Sequence, residues 1–358
     1  MKNTAYPRMV IFRERILENT RRIVGLCRRF NVSVTGVTKG ICAHPRIVSA
    51  MLEGGCSRLA DSRIENIARL RDCAPAVPLL LLRIPMPSEI PLVVAGADCC
   101  VVSMNETIYL IQRECERMRR DFPVMLMFDL GDLREGFWPD ETESVAHTLL
   151  ECPRVRPTAV GTNFGCFGGT VPSAEALRQL LDIRDRLQAL VNSPVEIVSG
   201  GSTSSLELLE RGILPEGITD LRIGEGILLG SDVTRMRRIP YLSGTTMILE
   251  AEIVEVRRKP SVPLGEIAYD AFGHIPCFED RGSRLRAIAA VGKQDVDIEG
   301  LDPIDHGVAI LGASSDHLIL DVDDMTVPPS IGETVRFALR YSAMLDLATS
   351  PYVPLDIL

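Results

Sequence analysis

From Ser33 to Gly230 the chain alternates short aliphatic and β-branched runs with longer stretches of helical periodicity, and this alternation constrains the fold more than any other feature. Strands joined through helices pair in parallel, because a helical crossover returns the chain to the same edge of a sheet. The runs are Ser33–Lys39, Ser57–Asp61, Pro78–Ile84, Cys99–Ser103, Pro123–Gly131, Arg156–Gly165, Glu196–Ser202 and Asp220–Gly230. That makes eight, the number that closes a barrel. Runs such as Leu79-Leu80-Leu81-Leu82 are apolar on both faces, as strands must be when helices cover the outside and side chains fill the inside. Between strands, Glu106–Arg119 sets Ile108, Ile111, Cys115 and Met118 on one stripe and Arg113, Glu114, Glu116 and Arg117 away from it. The expected fold class is α/β: a TIM-like (β/α)8 barrel over 13–235, with an open doubly wound sheet as the alternative.

After Ser231 the pattern changes. Strand-like runs at Met247–Val256, Leu285–Val291, Leu318–Val322 and Thr334–Leu339 follow one another, a Pro/Gly-rich stretch interrupts at Lys259–Gly265, and long amphipathic helices disappear. A C-terminal all-β domain is expected over 236–358. Met9–Phe12 precedes the first long helix, Leu17–Phe30, and would be a ninth barrel strand; it is a candidate to complete the β domain instead. A length of 358 residues suits a barrel of roughly 250 residues with a smaller partner.

Composition narrows the function classes. No run approaches the roughly 20 apolar residues that span a bilayer, and Met1–Arg8 lacks the apolar core of a signal peptide. The ten cysteines form no C-x-x-C pair, the usage of reduced thiols in a cytoplasmic protein. A net charge of −9 argues against nucleic-acid and anionic-membrane partners. The histidines (His44, His147, His274, His306, His317) show no ligand spacing, so no metal site is expected.

Barrel enzymes carry their reacting groups at the carboxyl ends of the strands, and four such positions here are unusually polar. Lys39 closes the first run and is either a Schiff-base nucleophile or a lysine reaching to solvent. Ser199-Gly200-Gly201-Ser202-Thr203-Ser204-Ser205 is either an anion cradle or a helix-capping turn. Arg222 interrupts the apolar last strand, in Leu221-Arg222-Ile223-Gly224-Glu225-Gly226; if it points inward it needs a partner. The charged loop Asp129-Leu130-Gly131-Asp132-Leu133-Arg134-Glu135-Gly136 follows the fifth run, and Thr162-Asn163 the sixth.

Taken together and in order, these positions resemble the alanine racemase family of pyridoxal-phosphate enzymes, and within it the branch of ornithine and related amino-acid racemases. The similarity runs along nearly the whole chain. It implies that Lys39 carries pyridoxal 5′-phosphate, that Arg222 meets the pyridine nitrogen, and that Ser202, Thr203, Ser204, Gly224 and Glu225 surround the phosphate. Arg134 matches an arginine near the phenolic oxygen that also serves the substrate, and Asn163 stands where alanine racemases have a histidine. Gly265-Glu266-Ile267-Ala268-Tyr269 resembles the segment ending in a second catalytic base, supplied by the opposite subunit of a homodimer; Asp270, next in line, is the other candidate. Ser315 and Asp316 match a segment that meets the substrate. Two departures stand out: the phosphate-binding tyrosine expected four residues after the lysine is Ala43, and the late one falls near Thr349, with Tyr352 close by.

The activity so implied is interconversion of L- and D-amino acids by two-base α-proton transfer, with ornithine or another basic amino acid as substrate and alanine as a further possibility. Asp61, Asp132, Asp295 and Asp316 are the carboxylates available for a second amino group. A non-catalytic cofactor carrier and a decarboxylase on the same plan are the alternatives.

Overall fold

The first strand, β1 (Arg8–Ile11), stands apart from the eight that follow: β2 (Ser33–Val37), β3 (Arg58–Asp61), β4 (Leu79–Leu81), β5 (Cys99–Val102), β6 (Phe122–Met127), β7 (Val155–Gly161), β8 (Ile197–Ser199) and β9 (Asp220–Ile223). These eight pair in parallel in sequence order, and β9 pairs with β2, so the sheet closes into a barrel. The computed structural model describes residues 6–358; the first five, part of the stretch inspected above for a signal peptide, lie outside the described residues.

Helices α1 (Arg13–Arg28), α2 (Pro45–Glu53), α3 (Ile64–Cys73), α4 (Ile90–Gly96), α5 (Asn105–Met118), α6 (Thr142–Glu151), α7 (Ala174–Val191), α8 (Leu206–Glu210) and α9 (Glu225–Leu229) belong to the same unit. Each longer helix buries one stripe; α5 buries Ile108, Ile111 and Cys115 as expected, but Met118 is only half-buried and Glu114, expected on the outer face, is buried and ion-paired with Arg117. Among the described residues no helix is long and apolar enough to cross a membrane.

Inside the barrel the filling is uneven. Val37, Ala60, Leu80, Val101, Met125, Met127 and Ala159 make an apolar cluster, each large side chain worth about 1.5–3 kcal/mol of burial. The strands around the closing seam carry polar groups instead: Thr35, Ser199, Asp220 and Arg222 are all buried.

Several expected strands end earlier than their apolar runs. β6 stops at Met127, leaving Asp129–Gly131 to a loop, and β9 stops at Ile223, after which Glu225–Leu229 is helix, not strand. Gly224 caps that helix and Gly230, at φ 64°, ends it in the left-handed region. A short apolar segment buried all round has no face to show, so periodicity cannot separate helix from strand.

The two-residue strands β10 (Ser231–Asp232) and β11 (Arg237–Arg238) form a ribbon that stays with the barrel unit. Asn19 on α1 fixes the segment beyond it, donating to the Ser243 carbonyl at 3.0 Å and accepting from the Ser243 amide at 2.7 Å. The boundary therefore falls between Gly244 and Thr245, later than the 235/236 break expected from the change of pattern.

The second unit comprises residues 6–12 and Thr245–Leu358. Its strands are β1, β12 (Met247–Pro260), β13 (Ser283–Ala289), β14 (Leu301–Pro303), β15 (Ala309–Ala313), β16 (Leu318–Asp321), β17 (Thr334–Leu339) and β18 (Leu355–Ile357). The sheet order is β14-β17-β12-β13-β16-β15, with β1 antiparallel to β12 and parallel to β18. β12 serves three neighbours, β1 and β17 along its first half and β13 along its second, with a bulge between Ile253 and Glu255. One helix, α10 (Tyr341–Thr349), departs from the all-β expectation; it buries Ala343, Met344 and Leu347.

Candidate active site

Lys39 stands one residue beyond the end of β2 and opens a 3-10 turn, Lys39–Ile41. The turn ends in two consecutive left-handed residues, Cys42 (φ 48°) and Ala43 (φ 54°), before His44 caps α2. Each non-glycine residue in that region costs about 1–2 kcal/mol, so the chain spends stability to turn sharply beside the lysine. Ala43, where the resemblance leads one to expect a tyrosine, is fully buried. Beneath the turn, Thr38 Oγ1 donates to Asp61 Oδ2 at 2.7 Å. Asp61 also accepts from the Arg63 amide and from Asn66 Nδ2, at 3.1 and 3.0 Å, and its burial pushes its pKa up. Lys39 itself is half-buried, and its amine has no hydrogen-bond or ion-pair partner among the described residues.

Arg222 sits on β9, paired in register with Thr35 of β2, and its side chain points into the barrel. Nη1 donates to Ser199 Oγ and Nη2 to the Thr162 carbonyl, the latter at 2.6 Å. Burial pushes the guanidinium pKa down while Asp220 pulls it back up. Ser199 Oγ donates in turn to Asp220 Oδ2 at 2.6 Å. The Thr162 hydroxyl, fully buried, has no partner among the described residues.

The serine-rich turn after β8 and the glycine turn after β9 pack back to back. The Gly226 amide donates to Thr203 Oγ1 at 3.1 Å, and Ser202 Oγ lies 3.4 Å from Ser204 Oγ. A Cβ on Gly201, at φ 108°, would come within 2.6 Å of Ser205 Oγ, and one on Gly224 within 3.2 Å of Val37 Cβ. Hydroxyls and backbone amides of two turns thus come together, groups of the kind an oxyanion needs. Glu225 offers only its main chain: its carboxyl accepts from Ser231 Oγ at 2.7 Å, and burial raises its pKa.

Arg134 ion-pairs with Glu135, and the Asn163 amide, turned so that its oxygen faces the guanidinium, accepts from Nη2 and Nη1 at 2.9 and 3.1 Å. Two carboxylates shape this loop. Asp129 accepts from the amides of Gly131, Leu133 and Arg134. Asp132 accepts from the amides of Gly165, Cys166 and Phe167 at 3.0, 3.2 and 3.1 Å, and from Thr170 Oγ1 at 2.9 Å. Burial opposes its ionisation, but these donors hold its pKa below the usual carboxylate range. Asp61 and Asp132, considered above as partners for a substrate amine, are therefore committed to their own chain.

The other candidates lie in the β unit. Tyr269 and Asp270 occupy the loop between β12 and β13, where Tyr269 is 72% exposed. Asp270 Oδ1 accepts from the amides of Phe272 and His274, at 2.9 and 2.8 Å, and those bonds hold its pKa low. Ser315 and Asp316 form the exposed tip between β15 and β16, with Ser315 Oγ donating to Asp316 Oδ2 at 2.6 Å. Thr349 donates to carbonyls of its own helix, and Tyr352 is exposed. Asp295 accepts from Ser350 Oγ at 2.8 Å.

Ser199 and Thr162 are conspicuous in the sequence, but their pairing with Arg222 is not. A signal for the counter-charge existed: Asp220 stands two residues before Arg222, on the same face of one strand, and reaches it through Ser199.

This geometry fits a phosphorylated aromatic aldehyde: an amine after the first barrel strand, a buried cation on the neighbouring strand, a buried hydroxyl without a partner among the described residues, and a cluster of hydroxyl and amide donors. The profile of the alanine racemase N-terminal domain matches residues 11–231. The chain is 42% identical over 348 residues to the lysine racemase of Thermotoga maritima, covering 97% of each. It is 38% identical over 354 residues to the ornithine racemase of Acetoanaerobium sticklandii, covering 99% of this chain and all of that one. Among solved structures, alanine racemase from Bartonella henselae with covalently bound pyridoxal phosphate superposes with a TM-score of 0.75 at 16% identity, over 99% of this chain and 100% of that one. With the barrel, the antiparallel unit and full-length kinship to two racemases in hand, the chain belongs to the alanine racemase family and is an amino-acid racemase.

Proposed function

We propose that the chain holds pyridoxal 5′-phosphate on Lys39 and interconverts the L and D forms of a diamino acid, lysine or ornithine. One observation carries the cofactor assignment: Arg222, a fully enclosed cation with no carboxylate in contact, points into the barrel from the strand paired with that of Lys39. Ser202, Thr203, Ser204 and the amides of Gly224 and Glu225 would hold the phosphate, and Arg134 with Asn163 would border the ring and the substrate. Bound pyridoxal phosphate supplies the conjugation that acidifies the substrate α-hydrogen. An arginine at the ring nitrogen, where a carboxylate would favour protonation, limits that conjugation and favours racemisation over transamination.

Inversion needs a base on each side of the α-carbon. Lys39 Nζ is one. Tyr269 Oη is the other, because the Asp270 carboxylate is engaged by its own loop and too weak a base for the task. We place Tyr269 on the partner chain of a homodimer. The exposed apolar side chains around it, Leu264, Phe272 and Ile275 among them, support a covering surface. Of the four acids considered for the second ammonium of the substrate, Asp61 and Asp132 are engaged by their own unit and so are not available to it. The diamino-acid assignment itself is supported by the lysine and ornithine racemases that the chain resembles.

The deciding experiment is α-hydrogen exchange in heavy water, read by proton NMR and chiral chromatography over lysine, ornithine, alanine and serine, with Lys39→Ala as control. Exchange with inversion of lysine or ornithine, absent from the control, is expected. Preference for alanine would overturn the substrate assignment, and no exchange by cofactor-loaded protein would overturn the mechanism.

A further inference from the structure

The buried cation of the barrel rests on neutral groups. Arg222 touches the Ser199 hydroxyl and the Thr162 carbonyl, and its counter-charge lies one step further, on Asp220. Asp220 is 1% exposed and is gripped on its other oxygen by Thr35 Oγ1 at 2.6 Å, with Arg58 Nη1 at 3.6 Å. A serine hydroxyl has one hydrogen, and alone it could turn that hydrogen toward any acceptor. Here Asp220 Oδ2 takes it, so only the lone pairs of Ser199 Oγ remain for Arg222. A charge-assisted bond is short and directional, and through this hydroxyl the carboxylate holds the guanidinium in one orientation.

We propose that Asp220 is a positioning residue for the cofactor: by claiming the Ser199 proton it makes that hydroxyl an obligate acceptor, and so fixes the plane in which Arg222 faces the pyridine nitrogen. The inference rests on the assignment of Arg222 to that nitrogen given above. It predicts that Ser199 and Asp220 act through Arg222 and not beside it.

The test compares Asp220→Asn, Ser199→Ala, Arg222→Lys and the Asp220→Asn/Arg222→Lys pair. Apoprotein is titrated with pyridoxal phosphate for its dissociation constant, and the loaded proteins are scanned for the visible band of the cofactor. Ser199→Ala and Asp220→Asn are each expected to weaken binding about tenfold, the loss of one charge-assisted bond, and to move the band in the same sense as Arg222→Lys. In the Arg222→Lys background Asp220→Asn should add less than about twofold, because the bond it supports is already gone. A full additive loss in the double variant overturns the inference. So does wild-type binding and spectrum in both single variants while Arg222→Lys alters them; Asp220 is then a structural residue and the Arg222 assignment stands. An unchanged spectrum in Arg222→Lys removes that assignment and the inference with it. Should Asp220→Asn fail to fold, Ser199→Ala decides alone, since it breaks the relay and keeps both charges.

Discussion

Replacing Asp132 by asparagine should loosen the hold between its own loop, which carries Arg134, and residues 165–170. The carboxylate divides its work evenly: Oδ1 accepts from the Gly165 amide and Thr170 Oγ1, while Oδ2 accepts from the amides of Cys166 and Phe167. Asparagine keeps one acceptor oxygen and turns the other corner into a donor, which then faces groups that are themselves donors. With the amide nitrogen toward Cys166 and Phe167, two bonds are lost at about 1–2 kcal/mol each, or about 2–4 kcal/mol of local stability. Hydrogen exchange reads this directly, because local opening exposes those amides without global unfolding. Exchange of the Cys166 and Phe167 amides should accelerate by at least about 30-fold at neutral pH. The wild type should show a matching acid effect. Asp132 has a depressed pKa in the fold, so its contribution is complete above the unfolded value, about 3.9, and disappears as pH falls through the lower folded value. The variant has no such limb. Equal exchange in the two proteins, or the same acid limb in both, would show that the carboxylate does not organise the loop.

Three further outcomes follow from the geometry. Gly136→Ala should cost at least about 2 kcal/mol in thermal denaturation, since at φ 150° its Cβ would lie 2.2 Å from the Asp129 amide nitrogen; an unchanged melting temperature refutes the contact. Ala43→Gly should stabilise by about 1 kcal/mol by relieving the left-handed turn, whereas Ala43→Tyr should destabilise it and bring no slower cofactor loss on dialysis; tighter retention would show that the buried pocket opens to admit the ring. Tyr269→Phe should abolish inversion yet leave α-hydrogen exchange with retention for one enantiomer, while Asp270→Asn keeps inversion. Chiral analysis giving the reverse pattern would exchange their roles.

The barrel was legible because its strands are apolar on both faces and spaced by amphipathic helices, a pattern with few physical solutions. Strand ends were not. Runs such as Asp220–Gly230 continue apolar into a short helix that is buried on every side, so composition carries no sign of the break. In the β unit, β14, β15 and β18 are too short or too exposed to announce themselves, and only pairing with β17, β16 and β1 makes them strands. Lys39 and Arg222 could be singled out because a charge at the end of, or within, an apolar strand is conspicuous. The fate of the acids could not be foreseen. Whether Asp132 faces a ligand or its own chain depends on how residues 165–170 return to it, and whether Asp270 is a base depends on a turn that closes on its carboxylate. Such choices are made by distant backbone.

The seam between β9 and β2 has a consequence for how the protein comes into being. Lys39 arrives with the first barrel strand and Arg222 with the last, and the register that sets Thr35 opposite Arg222 joins them. Contacts between chain segments so far apart form late, after the loop between them has been organised. During synthesis the lysine is therefore exposed long before any buried cation exists beside it, and a chain cut ahead of Asp220 would possess the amine without the seam. On the proposed function, retention of an aromatic phosphate would need both ends of the barrel, and so would mark a closed seam.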